Sequence, residues 1–414
     1  MPWLSKNSAA MLAGHSLELP FAPSSRALIA RLQQGKQVAG RGWFASDREA
    51  IKGGFERNKP FVRLPPGKES LTERLSRLID SALAQAQLEK RCLTGDKVRV
   101  YLTGLGPRVD VRDYKSFYDR NDIDDIRLTP AIRRLQVANM SQDRLALQLA
   151  QRYGLQYLPP NLNCASNSSL AAVHLGCQAI EQGGADLVMV ISCSEIKTQD
   201  FWFLESQSML ASERAQPFGQ QSKSVLFAEG FCVLLLESER HRAARQPGTG
   251  IRLRSVYERI SPGRRNDTAS LTANLLRLMK KTLQQGGVTL QDLCAIIPHG
   301  NGSENSDKAE AQALALLLAG QPVPVLAYKG QIGYTATGSG VVDLIIAHHS
   351  LTQGELIPAL VREAIVPALA PCMLTGSERV RHNKHHLLKI GVSVDGAQIA
   401  ILMSAHSPRE CDDE

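Results

Sequence analysis

Residues 161–194 read NLNCASNSSLAAVHLGCQAIEQGGADLVMVISCS, and the way this stretch changes texture decides the fold. From Ser169 onward, Leu170, Val173, Cys177 and Ile180 recur three and four apart, which draws one apolar stripe down an α-helix. Gly183 and Gly184 end it, because glycine accepts the left-handed backbone that closes a helix. The run ADLVMVISC then has the length and the Val and Ile content of a strand buried on both faces. Cys164 stands just before the helix, where unpaired N–H groups and the macrodipole favour a thiolate. A nucleophile is one reading of it; a small buried hydrophobe, which is what most free cysteines are, is the other. The local pattern leaves both open.

Working outward, 414 residues exceed one ordinary core and predict two domains or two fused halves, divided at 1–245 and 246–414 within the linker-like HRAARQPGTG. A hydrophobic share of 43% beside 21% charge belongs to a soluble globular chain and excludes a disordered one. The eight cysteines form no CxxC pair and share no metal-ligand spacing with histidine, so the expectation is no metal site, no disulfide and a reducing cytoplasm. No apolar run reaches membrane-spanning length, and MPWLSKNSAAMLAGHSLELPF lacks the basic start and sustained apolar core of a signal peptide. The net charge of +8 suits an acidic partner, nucleic acid or an acidic carrier protein alike. The basic residues are scattered, without the aromatic interleaving of a nucleic-acid surface.

Along the chain, helices are predicted over 24–36, 70–88 and 137–154, the second opening on the capping-box spacing of Ser70 and Glu73. KVRVYLTGLG (97–106) reads as a strand, the charged stretch 107–135 as a surface insertion, and 199–224 as loop. LFAEGFCVLLLES (226–238) reads as a strong apolar strand. Strand IRLRSVYERI, a helix near 268–285, strand CAIIPHG, a helix over 307–319, strand PVLAYKG, a helix over 338–352 and two closing strands follow. This alternation predicts mixed, helix-covered sheets. NCASNSSLAAVHLG and GYTATGSGVVDLIIAHH each set a turn of small residues before a buried helix, which hints at an internal duplication.

Chemistry gathers at four places: Cys164, His299 in HGNGSENSDKAEA, Lys329 in KGQIGYTATGSG, and the turn GVSVDGAQ (391–398). Together these segments resemble the β-ketoacyl-acyl-carrier-protein synthases of the thiolase-fold superfamily, in order over residues 25–404. NCASNSSLAAVHLGCQAI is similar to that family's nucleophile motif, and HGNGSENSDKAEA to its HGTGTxxND motif followed by EA, with Asn301 and Ser303 in place of two threonines. KGQIGYTATGSG is similar to KxxxGHxxGAAG, and AQPFGQQSKSVLFAEGFCVLLLE to RPFDxxRDGFVxGEGAxxLxLE. The family's opening strand survives only as a faint remnant in SAAMLAGHSLELPF.

The resemblance implies an α/β, five-layered αβαβα fold of two similar halves with the site at their junction, and a dimer, homomeric or with another ketosynthase subunit. It implies a decarboxylative Claisen condensation in which Cys164 carries the acyl chain as a thioester. Substrates would ride on the phosphopantetheine of acyl carrier protein or coenzyme A, with no further cofactor, no nucleic acid and no membrane span. His299 would stabilise the enolate, Asn301 and Ser303 would line the phosphopantetheine arm, and Lys329 would pair with Glu310 to fix geometry. Tyr334 stands where the family has a second histidine, and a phenol cannot act as an imidazole near neutral pH. Val392 and Val394 stand where the family has phenylalanines, and Asp395 replaces a glycine. Three readings follow: a condensing enzyme with an atypical Cys, His, Tyr site; a non-elongating partner subunit like the chain-length factors; and an acyltransferase or thioesterase using only Cys164 and His299. The departures point to a specialised polyketide or polyene pathway.

Overall fold

The computed structural model describes residues 9–65, 67–104, 110–111, 142–210, 215–245, 250–259 and 267–406. Its strands, in chain order, are β1 (Ala10–Glu18), β2 (Arg41–Gly42), β3 (Pro60–Phe61), β4 (Val98–Thr103), β5 (Asn161–Leu162), β6 (Leu187–Ser194) and β7 (Gly230–Ser238). β8 (Gly250–Arg259), β9 (Leu293–Ile297), β10 (Glu355–Leu356), β11 (Val380–Arg381), β12 (His386–Val392) and β13 (Ala397–His406) complete them. Nine form one sheet in the order β5-β4-β6-β7-β1-β8-β13-β12-β9, and β2–β3 and β10–β11 are two-residue pairs apart from it.

One pairing scheme occurs twice in that sheet. β1 is antiparallel to β7, β7 to β6, and β6 is parallel to β4, which is parallel to β5. Likewise β8 is antiparallel to β13, β13 to β12, and β12 is parallel to β9, whose Ile296 makes a parallel bridge to Val325. The two copies join where Ala10–Leu12 of β1 pairs with Ile251–Leu253 of β8. This is the duplication that the matching turns anticipate.

Alternation of side chains builds the layers, because successive strand residues face opposite sides. Val188 and Val190 of β6 pack inward on helices Ser168–Glu181 and Ser339–Gln353, while Leu187, Met189 and Ile191 pack outward beneath helices Leu71–Gln85 and Gln142–Tyr153. In the other copy Leu387, Ile399, Ile401 and Met403 face the same central helices, and Leu388, Ile390, Ala400 and Leu402 face helices Thr268–Gly286 and Glu304–Leu318. The result is the expected αβαβα stack.

The structure departs from the sequence reading in three places. The faint remnant at the N-terminus is a full strand, β1, central in the sheet. Its pattern is blurred by Gly14, His15 and Ser16, each of which answers to a neighbour. A Cβ on Gly14 would lie 2.4 Å from the Ala82 carbonyl oxygen, His15 Nδ1 lies 3.0 Å from Ser25 Oγ, and Ser16 Oγ donates to the Leu78 carbonyl at 2.7 Å. Within 199–224, Thr198–Ser206 is a helix; it escapes the periodic test because Phe201 and Leu204 are buried while Trp202 and Phe203 beside them are exposed. PVLAYKG makes isolated bridges from Val325 instead of a ladder, since Pro322 and Pro324 bring no N–H donors. Apart from residues 110–111, the charged stretch 107–135 lies outside the described residues.

The central helices approach so closely that a Cβ on Gly340 would stand 2.3 Å from Leu170 Cγ. Gly340→Val is therefore expected to lower the unfolding free energy by about 2–3 kcal/mol, read from the midpoint of urea denaturation, since an overpacked core must shift backbone.

Candidate active site

The nucleophile candidate sits on a strained elbow. Ala165 has φ 44°, in the left-handed region that a side chain disfavours, and a short 3-10 turn over Ala165–Asn167 feeds the helix Ser168–Glu181. Ser168 Oγ donates to the Ala165 carbonyl at 2.7 Å and accepts from Cys164 N at 3.0 Å, which locks the turn. The second copy repeats this: Ala336 has φ 43°, a 3-10 turn spans Ala336–Gly338, and Ser339 Oγ donates to the Ala336 carbonyl at 3.0 Å. Cys164 thus occupies in one turn the place of Thr335 in the other, half-buried at the start of a central helix.

His299 follows β9 in a loop that two carboxylates hold. Glu310 accepts from the backbone N–H of His299 at 2.7 Å and of Gly300 at 2.8 Å. Asp307 accepts from Asn301 N at 3.1 Å, Gly302 N at 3.0 Å and Phe218 N at 2.8 Å. These acids lie three apart on one face of helix Glu304–Leu318, which is why the spacing HGNGSENSDKAE folds back on itself. Burial raises both, Asp307 to about 6, against the opposing pull of those N–H groups. The His299 ring is buried and meets the Tyr334 ring edge to face, centroids 5.7 Å apart at 87°. Burial first, then the charges of Lys329 and Lys389, hold the imidazole well below its ordinary range, so it is neutral at physiological pH.

Tyr334 is only 1% exposed, and its backbone is pinned by bonds to Leu226 and Ala228. Its hydroxyl faces Ser166, Asn301 and Ser339 without a hydrogen bond of normal geometry to any described residue. Burial pushes the phenol up to about 12, so it keeps its proton and stays a donor.

The expected pairing of Lys329 with Glu310 is not what the structure shows. Lys329 Nζ donates to Asp343 Oδ2, on helix Ser339–Gln353, at 2.7 Å, while Glu310 is committed to two backbone N–H groups. Glu310 supports the site by holding the loop of His299. A second lysine absent from the sequence reading, Lys389 of β12, reaches the same Asp343 oxygen at 2.6 Å. Both residues carry a sequence signal: Asp343 is the one acid in SGVVDLIIAHHSLTQ, and Lys389 the one lysine in HLLKIGV.

The turn 391–398 joins the site to the nucleophile. Ser393 Oγ donates to the Cys164 carbonyl at 3.1 Å and Asn167 Nδ2 to the Ala397 carbonyl at 2.9 Å; neither residue is singled out by the sequence. Asp395, in place of a glycine, accepts from Ala397 N at 3.0 Å and closes the turn, leaving Val394 half exposed. A cavity of about 530 Å³ is bounded by Ser166, His299, Asn301, Ser303, Val392 and Val394. The structure therefore brings His299, Asn301, Ser303, Val392 and Val394 to one space, with Cys164 reaching its wall through the neighbouring Ser166 and through Ser393. Lys329 and Glu310 stand behind that wall, and the Tyr334 hydroxyl is directed at Ser166 and Asn301, two of the residues that form it.

The chain matches the model of the β-ketoacyl synthase N-terminal domain over residues 45–242 and that of the C-terminal domain over 261–362. The spectinabilin polyketide synthase system protein NorA' of Streptomyces orinoci is 26% identical over 220 residues, 50% of this chain and 6% of that protein. The pikromycin polyketide synthase component PikAII of Streptomyces venezuelae is likewise 26% identical over 220 residues, 50% of this chain and 6% of that one. The chain thus corresponds to a small fraction of the length of these relatives. Among solved structures, AntDE:AntF, a type II polyketide synthase acyl-carrier protein in complex with its ketosynthase bound to the hexaketide, gives a TM-score of 0.79 at 15% identity, covering 97% of this chain and 100% of that one. The ishigamide ketosynthase/chain length factor gives 0.79 at 16%, with the same 97% and 100%. At such identities the likeness shows the fold, which is thiolase-like. No helix of the described residues is long and apolar enough to cross a membrane.

Asp343→Asn leaves two buried ammonium groups sharing no carboxylate. Breaking a buried pair in this way costs about 3–5 kcal/mol, so the variant is expected to unfold at clearly lower urea than the wild type at pH 7.

Proposed function

Given that the chain belongs to the β-ketoacyl synthase family, we propose that it is a condensing acyltransferase in which Cys164 carries the acyl chain and His299 with Tyr334 serves the incoming extender. The observation that supports this reading best is the half-buried Cys164 on its strained elbow, linked by Ser393 and Ser166 to the cavity that His299 bounds. The Cys164 sulfur attacks the carbonyl of an acyl thioester; the carbon–sulfur bond to the phosphopantetheine arm breaks, and the departing thiol takes the proton. Asn301 and Ser303, both bounding the cavity, are placed to meet the amides of that arm.

A malonyl thioester then loses carbon dioxide: the bond to the carboxylate breaks and its electron pair becomes the enolate. Charge collects on the thioester oxygen, where fixed donors act most strongly. His299, neutral, presents an N–H, and the un-ionised Tyr334 presents an O–H. The enolate carbon attacks the acyl-Cys164 carbonyl, and the sulfur departs as thiolate, ready for another chain. Tyr334 donates but takes no proton, so it can replace a second histidine for charge stabilisation and for nothing else. Glu310, Asp307, Lys329 and Asp343 fix the loop and the lysine without touching substrate.

An acyl carrier protein is the proposed partner, and the dimer is proposed to bury β5, the two-residue edge strand beside Cys164. Val392 and Val394, in place of larger aromatic side chains, leave the entrance without a bulky gate. Intact-mass analysis of the purified chain exposed to acyl-carrier thioesters, alone and with a co-expressed ketosynthase, tests the first step. The lone chain is expected to gain one acyl mass, and Cys164→Ala none. A chain that stays unmodified, or only alters product length when paired, would be a non-elongating partner subunit.

A further inference from the structure

Lys389 lies in the middle of β12, between Leu388 and Ile390, and is 1% exposed. An ammonium group taken that far from water is costly unless it is hydrogen-bonded and paired. Lys389 is both: its Nζ donates to the Pro298 carbonyl at 2.9 Å and lies 2.6 Å from Asp343 Oδ2. Lys329 donates to that same oxygen at 2.7 Å, so one carboxylate answers two cations. β12 runs parallel to β9 with Lys389 opposite Ile297, which puts the lysine beside the residues leading into His299.

We propose that Lys389 is a positioning residue of this site, a second buried cation that acts on His299 through the Pro298 carbonyl it holds and the Asp343 carboxylate it shares with Lys329. Lys389 from β12 and Lys329 from the segment after Val325 act on the His299 ring by their charges, and Tyr334 meets that ring edge to face. Asp343, on the helix behind, pairs with both lysines, while Glu310 holds the His299 N–H and Asp307 the N–H groups that follow it in the loop. Glu310 and Asp307 are engaged by five backbone N–H groups in all, whereas the two lysines both oppose a proton on the imidazole. Lys329 alone would give the loop neither the bond to Pro298 nor the second repulsive charge. The functional meaning of this arrangement, a His299 that stays a neutral donor as the medium acidifies, rests on the condensing-site reading; the physical claim does not.

The test is a proton NMR titration of the His299 ring in the full chain, which needs no turnover. In the wild type the midpoint is expected well below the ordinary histidine value of about 6.5. In Lys389→Met it is expected to rise by about one pH unit, a tenfold gain in proton affinity. Lys389→Gln, which keeps a donor for Pro298 without the charge, is expected to rise by the same amount, and serves where the Met variant does not fold. Exposed Lys281→Met should leave the midpoint unmoved. A wild-type midpoint near 6.5, or one unchanged in the Lys389 variants, overturns the proposal. If the shift is found but Cys164 takes no acyl chain, the condensing reading fails and the role of Lys389 stands.

Discussion

Asp343 carries one negative charge for two buried ammonium groups, and much of the site is arranged around that shortage. Had Glu310 and Asp307 been free to pair with Lys329 and Lys389, the loop of His299 would have lost the acceptors that hold its backbone. Instead the acids are divided: two on helix Glu304–Leu318 fix backbone, and one on helix Ser339–Gln353 serves the lysines. The division ties β9, β12 and the central helix into one block behind the cavity. Burial first, and then the charges of Lys329 and Lys389, keep His299 neutral and able to donate.

The front of the site depends on the paired elbows. Two turns of the same shape, with Ala165 and Ala336 in the left-handed region, start the central helices side by side. One turn presents Cys164; the other follows Tyr334, so the duplication itself brings the cysteine and the phenol to one junction. The turn 391–398 closes the arrangement by bonding to the Cys164 turn at Cys164 and Asn167. Cys164 is held there through its backbone N–H and carbonyl.

The fold was legible wherever one physical signal dominated. The stripe of Leu170, Val173, Cys177 and Ile180 and the run LVMVISCS announce helix and strand because each is buried against apolar neighbours alone. The helix over 71–85 declares its start through the reciprocal bonds of Ser70 and Glu73. Legibility failed where tertiary partners satisfy polar groups at a distance. His15 and Ser16 make β1 look irregular, yet their bonds to Ser25 and Leu78 allow them inside the sheet. His299, Asn301 and Ser303 of one local motif bound one cavity, whereas the acid that Lys329 pairs with, Asp343, lies on another helix, where the motif's own Glu310 is the expected partner. Lys389 and Ser393 act through contacts that sequence proximity does not encode, although a lone lysine in HLLKIGV is itself a sign of a buried charge with a task.

The proposed condensing site depends on the Tyr334 hydroxyl, which lies against Ser166 and Asn301 beside His299. The most direct measurement is mass spectrometry of the product released when the purified chain is given an acyl thioester and malonyl-carrier thioester, for the wild type and Tyr334→Phe. The account predicts a 3-ketoacyl product from the wild type and a yield lower by about a hundredfold from the variant, the loss typical of one donor removed from a developing oxyanion. A 3-ketoacyl product formed equally well by Tyr334→Phe, or none from the wild type, would contradict it.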